Sequence, residues 1–447
     1  MDGGLTSRLC LSISAGPLAR RNFRLLVGCD VTSMIGTAMA TVAAPFAVLA
    51  SGDSVSDIGY VAAAGLIPTV VFLLFGGALA DRLPRQQVMV AANVGQGLAQ
   101  GGFALLVLTG NARLWQMMLL TAARGCAFGF YMPAAQGLLP QTVAPDQLAS
   151  ANALRRLGLN AAQIGGAAVG GVVVATVGPG WGLVADAASY GTAAVLRVGM
   201  RFAELPPIVR DGIVDELRDG WHAFASRRWL WVIVVQFGLV NAIFVGAFNV
   251  LGPALARTQL GGASSWGVIL AAQGIGAVLG TTSMLRYRPA HLLRSGSIAV
   301  PLLALPLLAL AAPLPVALIA VAALLAGAGM EIFAVNWSTA LQEQIPPNLL
   351  SRVAAYDALG SYALAPIGTI FAGPIALAIG TTTTLVGAGA AVVASAAAVL
   401  SVPEVRTLPR RARPTPHSSR PPHSVRRSQR PGPTTTQTTH APATKQL

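Results

Sequence analysis

Charge is what this sequence has least of: Asp, Glu, Lys and Arg make up only 10% of its 447 residues. An ordinary soluble domain carries about 25%. So few polar side chains cannot cover a water-facing globule, which excludes a soluble enzyme. Cysteine is scarce as well. Cys10, Cys29 and Cys126 are odd in number and unpatterned, so neither a disulfide framework nor a thiolate metal site is expected. No histidine falls in an apolar run: His222, His291, His417, His423 and His440 lie in polar connections or the final segment. A histidine proton relay through a membrane is thereby excluded. No G-x-x-x-x-G-K-[ST] loop is present, so ATP is not the direct energy source and no cofactor is expected. A secretory signal is not expected either, because Arg20 and Arg21 follow the weak apolar stretch before them instead of preceding it.

What the chain has in abundance is apolar surface, with 54% hydrophobic residues and a mean hydropathy of +0.64. A bilayer core about 30 Å thick needs roughly 20 apolar residues in a helix, and lipid leaves backbone groups no other partner. Reading for such runs gives twelve: 24–50, 57–80, 88–109, 114–132, 149–177, 181–199, 230–251, 264–285, 295–311, 316–340, 353–379 and 382–402. If both termini lie in the cytoplasm, only Arg113 and Arg257 fall outside and Arg124 falls within a span. The other 27 basic residues lie inside, a strong positive-inside bias. The expectation is an all-α, multi-pass protein of the cell membrane.

Domain organisation follows from composition. Residues 1–22 form a cytoplasmic segment, 23–199 and 229–402 two six-helix bundles, 200–228 a cytoplasmic linker and 403–447 a disordered tail. The linker pattern Glu216-Leu217 through Trp221 and Phe224 suggests a helix lying on the membrane. The tail holds nine prolines, nine basic residues and one acid, so it is either a solvated extension or a tether to anionic lipid. Nucleic acid is not expected as a partner, since no folded basic domain accompanies that charge.

Three pairs of segments repeat at nearly one offset. Ile164, Gly165 and Gly170 match Ile367, Gly368 and Gly373; Val143, Pro145 and Leu148 match Ile345, Pro347 and Leu350; Ser56, Gly59, Ala63 and Ala64 match Ser264, Gly267, Ala271 and Ala272. Two parallel six-helix repeats place a site at the midplane between them.

Gly77-Ala78-Leu79-Ala80-Asp81-Arg82-Leu83-Pro84-Arg85-Gln86 resembles the G-x-L-a-D-R-x-G-R-K loop of the major facilitator superfamily, with Pro84 and Gln86 departing from it. Phe23-Arg24-Leu25-Leu26, Pro133-Ala134-Ala135, Leu148 to Asn152 and Gln342 to Val353 are similar to the drug and siderophore exporter branch. The resemblance implies a twelve-helix fold of two six-helix pseudo-repeats and a latch at Gly77, Asp81, Arg82 and Arg85. It also implies that helices one, four, seven and ten line a central cavity. Gly165, Gly166 and Gly170 are expected to let helices pack closely.

Three charges in apolar runs stand out: Asp30, Arg124 and Glu331. Charges there are costly and usually functional. Asp30 and Arg124 are expected to pair, with Glu331 facing them as an acid alone in an apolar cavity, able to exchange a proton near neutrality. Asn241, Asn336 and Trp337 are candidate substrate contacts; Asp186 and Asp357 rank lower. The expected function is export of a small lipophilic or cationic organic molecule, drug- or siderophore-like, in exchange for protons, by a monomer. An uptake symporter or a non-transporting receptor is the alternative.

Overall fold

The computed structural model describes residues 16–52, 54–80, 83–144, 147–200, 218, 221–287 and 289–408. Among them the regular elements are helices and no strand occurs. The first half comprises α1 (Arg21–Ala50), α2 (Val55–Ala80), α3 (Arg85–Leu108), α4 (Leu114–Leu138), α5 (Leu148–Val177) and α6 (Pro179–Val198). The second comprises α7 (Arg228–Gln259), α8 (Ala263–Arg286), α9 (Leu292–Ala311), α10 (Val316–Gln344), α11 and α12 (Thr381–Leu400). A π-helical turn, Ala247–Leu251, interrupts α7, and α11 is broken into Pro347–Tyr362 and Ala365–Ile379. Ten of these helices are long and apolar enough to cross a membrane. The other two, α4 and α6, have 25 and 20 residues and carry Arg124, Asp186 and Arg197.

The two halves pack by one scheme. In the first, α2 lies on α4, α1 on α6 and α5, and α3 on α6 and α4; in the second, α8 lies on α10, α7 on α12 and α11, and α9 on α12 and α10. Across the seam α5 meets α8 and α2 meets α11, contacts that exchange under the same correspondence. The turns match too. Gly178 (φ 96°) joins α5 to α6 and Gly380 (φ 88°) joins α11 to α12, each in a left-handed conformation that favours glycine.

The seam is closest at the end of the molecule holding the α1–α2 turn, termed distal; the opposite end, where α1 begins and α12 finishes, is termed proximal. A single apolar cluster there draws on both halves, with Phe46, Val48 and Leu49 of α1 beside Phe248 and Leu251 of α7, and Trp266 of α8. Lipid tails are as apolar as these side chains, so what holds the seam is close van der Waals packing. A methyl group at Gly59 would overlap the Thr369 carbonyl, and one at Gly267 would sit 2.7 Å from the Ala167 carbonyl. Likewise Gly373 lies against Ser56, and Gly171 against Ala263 and Ser264. At the proximal end the described residues form two separate clusters, one per half: Phe23, Met89 and Leu138 in the first, Leu230, Phe333 and Trp337 in the second.

Several expectations are corrected. The seam contacts align Gly373 with Gly171, one residue on from the Gly170 of the sequence alignment. Gly166 and Gly170 do pack on α1, at Ile35 and Met39, but Gly165 points away from every neighbour and serves no crossing. The reason is geometric: adjacent helical residues are turned by about 100°. The segment from Pro403 begins as a helical turn, Pro403–Thr407, with Val405 buried in the second half's cluster. Of the linker helix, Glu216 and Leu217 lie outside the described residues; Trp221 meets Tyr356 of α11 edge-on and Phe224 meets it tilted, with ring centroids 5.5 and 6.0 Å away.

Overpacking a tight crossing costs about 1–3 kcal/mol. Gly373→Val should therefore lower the melting temperature of the purified protein, and Gly165→Val should leave it unchanged. Equal thermal unfolding curves for the two variants would refute the seam.

Candidate transport site

Asp30 sits on α1 in the proximal third of the first half and is buried. Arg197 Nη2 on α6 donates to it at 2.5 Å, Arg155 Nε on α5 at 2.6 Å and the Tyr131 hydroxyl on α4 at 3.1 Å. The wholly buried Arg197 also donates to the Tyr131 hydroxyl at 2.7 Å and lies over that ring, 5.0 Å from its centroid. The end of α6 is held in turn by Gln86, whose Nε2 donates to the carbonyls of Arg197 (2.6 Å) and Met200 (3.0 Å). One helix thus supplies the carboxylate and three others neutralise it.

A second network lies closer to mid-height in the same half. Arg124 of α4 acts electrostatically on Asp186 and Tyr190 of α6. Thr37 of α1 donates to Asp186 at 3.4 Å and lies 3.1 Å from the Tyr190 hydroxyl. In the second half, Glu331 of α10 accepts from Thr281 of α8 at 3.1 Å and faces Arg156 of α5, across the seam, at 3.5 Å. Asp357 of α11 accepts from the Trp337 indole N–H at 2.9 Å and the Ser361 hydroxyl at 3.3 Å.

The expected constellation is therefore divided. Asp30 does not pair with Arg124, because Tyr131, seven residues nearer the proximal end of α4, fills that position. Glu331 is not alone, because Arg156 neutralises it from the other half. Asn241 and Asn336 face their own half: Asn241 donates to the Ser361 carbonyl at 2.9 Å and Asn336 to the Ile332 carbonyl at 2.8 Å. Trp337 is buried against Trp229 and Phe333. Of the latch, Asp81 and Arg82 lie outside the described residues; Gly77 is in α2 and Arg85 opens α3.

Sequence reading missed Arg155, Arg156 and Arg197 by grouping them with the cytoplasmic loops. The signal was available, since all three fall inside runs assigned to spans, the criterion that singled out Arg124. Within the apolar runs, the first half holds Arg24, Arg124, Arg155, Arg156 and Arg197 against Asp30, Asp57 and Asp186, and the second half Glu331 and Asp357 with no cation. The site has a positive wall and a negative one, and Arg156 and Glu331 join them.

A helical membrane protein of two pseudo-equivalent halves with charges at the seam has the architecture of a major facilitator transporter. Solved structures share it: the nucleoside transporter NupG matches with a TM-score of 0.69 at 13% identity, over 84% of this chain and 99% of its own. A bacterial homologue of the human lysosomal transporter Spinster, in an inward-facing and occupied conformation, matches with a TM-score of 0.66 at 16% identity, over 88% and 98%. The chain belongs to the transmembrane secretion effector family of the major facilitator superfamily, whose model matches residues 12–438. It is 26% identical over 401 residues to the multidrug efflux pump Tap of Mycolicibacterium fortuitum, covering 86% of this chain and 96% of that one. It is likewise 26% identical over 322 residues to the enterobactin exporter EntS of Escherichia coli O1:K1, covering 69% and 76%.

Removing one partner of a buried ion pair strands the other, at about 3–5 kcal/mol. Asp30→Asn leaves the wholly buried Arg197 without a carboxylate and should destabilise the protein strongly, and adding Arg197→Leu should recover much of the loss, as read by thermal unfolding in detergent. A double variant no more stable than the single one would refute the pairing.

Proposed function

We propose that the protein exports a small lipophilic or cationic organic molecule, drug- or siderophore-like, in exchange for protons. The observation that carries this reading is the asymmetry of the seam. It is packed shut at the distal end, while toward the proximal end the halves have separate cores and are bridged by the half-exposed pair Arg156 and Glu331. With the arginine-rich proximal end in the cytoplasm, this is the state that receives a molecule from the cytoplasm or the inner leaflet. The names of its relatives, a multidrug efflux pump and an enterobactin exporter, support the same direction.

Alternating access requires the halves to rock, which separates groups at one end and joins them at the other. Arg156 and Glu331 form a contact that motion must alter. An exposed guanidinium facing a half-buried carboxylate at 3.5 Å is a weak bond, suited to breaking and re-forming. The acids of the second half supply a negative wall for a cationic substrate. The driving force is sufficient, because a charge crossing 100 mV gains about 2.3 kcal/mol, enough for a roughly fifty-fold gradient.

Everted membrane vesicles given an inside-acid gradient should accumulate ethidium when they contain the protein, and an uncoupler should abolish the uptake. Glu331→Gln should reduce that rate at least tenfold. An uptake symporter would instead drive ethidium out of such vesicles, and a receptor would move none.

A further inference from the structure

Asp30 is ion-paired with Arg155 and Arg197 and Glu331 with Arg156, while Asp186 has no ion pair among the described residues but lies under the charge of Arg124. Among the described carboxylates in the bodies of the helices, Asp357 alone is neither ion-paired nor under the charge of a described guanidinium; its partners are neutral, Trp337 and Ser361. The helices around α11 leave it so. From α10 it meets Trp337; α12 carries no ionisable side chain, and the acid and tyrosine of α2, Asp57 and Tyr60, lie at the distal end. On α7 the ionisable residues are the arginines of its two ends, and no charge from α7 acts on Asp357. On α11 itself Tyr362 is within electrostatic reach.

Asp357 stands five residues before the end of the first segment of α11, with Ser361 one turn on beside the break. Pro366 has no N–H, so the Tyr362 carbonyl loses its helical donor and the helix stops at Tyr362 and resumes at Ala365. Asn241 of α7 takes up the Ser361 carbonyl at this joint. Ser361 thus holds both sides of it, with its hydroxyl on Asp357 and its carbonyl on α7. The segment beyond, Ala365–Ile379, carries Thr369 and Gly373, which close the distal seam against Gly59 and Ser56 of α2.

We propose that Asp357 is the group that carries the exchanged proton, and that its protonation reaches the distal seam through the joint at Ser361. The proposal rests on the proton-exchange reading above. An indole N–H can only donate, so the oxygen facing Trp337 must remain an acceptor. The proton therefore enters on Oδ1, facing Ser361. One O–H bond forms on Oδ1 from a proton of the solution, and the Ser361 hydroxyl turns from donor to acceptor. When the proton leaves on the other side, that O–H bond breaks and the original arrangement returns.

The test is a pH titration followed by infrared difference spectroscopy on the full-length protein in lipid, with no substrate present. A carboxyl C=O band should appear as pH falls, vanish in Asp357→Asn, persist in Glu331→Gln and shift in frequency in Ser361→Ala. Should Asp357→Asn fail to fold, Asp357→Glu should give the band at a displaced frequency. A band that survives in Asp357→Asn or does not move in Asp357→Glu, or no band in any protein, overturns the assignment; a frequency unmoved in Ser361→Ala overturns the joint. An Asp357 band in a protein whose vesicles ignore an inside-acid gradient upholds the carboxyl assignment and overturns the export reading instead.

Discussion

A charge carried into hydrocarbon has to be neutralised by the chain that carries it, and the interior of this molecule is organised by that demand. Asp30 is buried, so α4, α5 and α6 each send it a polar group. These contacts do more than lower a cost. They tie four of the six helices in the first half at one height, and Gln86 extends the tie to α3 through the end of α6. The apolar runs of the second half hold two carboxylates and no guanidinium, so it lacks this internal clamp. The first half is therefore cross-braced by ion pairs, and the second is held by aromatic stacking and backbone crossings.

The seam obeys a different rule. Apolar side chains gain little by leaving lipid for each other, so the halves meet where side chains are small enough for backbones to touch. The four glycines there, Gly59, Gly171, Gly267 and Gly373, form two equivalent crossings. These backbone crossings carry no charge of their own, which suits a gate; beside them the Arg257 guanidinium of α7 donates to the Leu49 carbonyl of α1, one charged hydrogen bond that opening the distal seam must break. The ion pair between halves, Arg156 with Glu331, is half-exposed and long, which suits a gate equally. Strong ion pairs are kept within a half and weak ones between halves, so a rocking motion can proceed without unfolding either bundle.

Much of this was legible without coordinates. The apolar runs locate most helix edges to within about three residues, because a 30 Å slab sets their length. The exceptions are the proximal ends of α4, α10 and α11 and the distal end of α7, where helices continue past the hydrophobic slab into polar sequence. Repeat spacing also pointed to the seam, with Ser56 and Gly59 matched to Ser264 and Gly267. Partnership was not legible. Asp30 meets residues 101, 125 and 167 positions away, and no periodicity encodes such distances.

The sequence alone determined the environment and the class of fold: scarcity of charge forces the chain into lipid, lipid forces helices, and helix length follows from membrane thickness. Small residues at matched spacing determined where helices cross. Only the tertiary structure decided which guanidinium neutralises which carboxylate, and so which acid is left without one. That choice depends on rotation and depth of each helix against its neighbours, where a shift of one residue turns a side chain by about 100°.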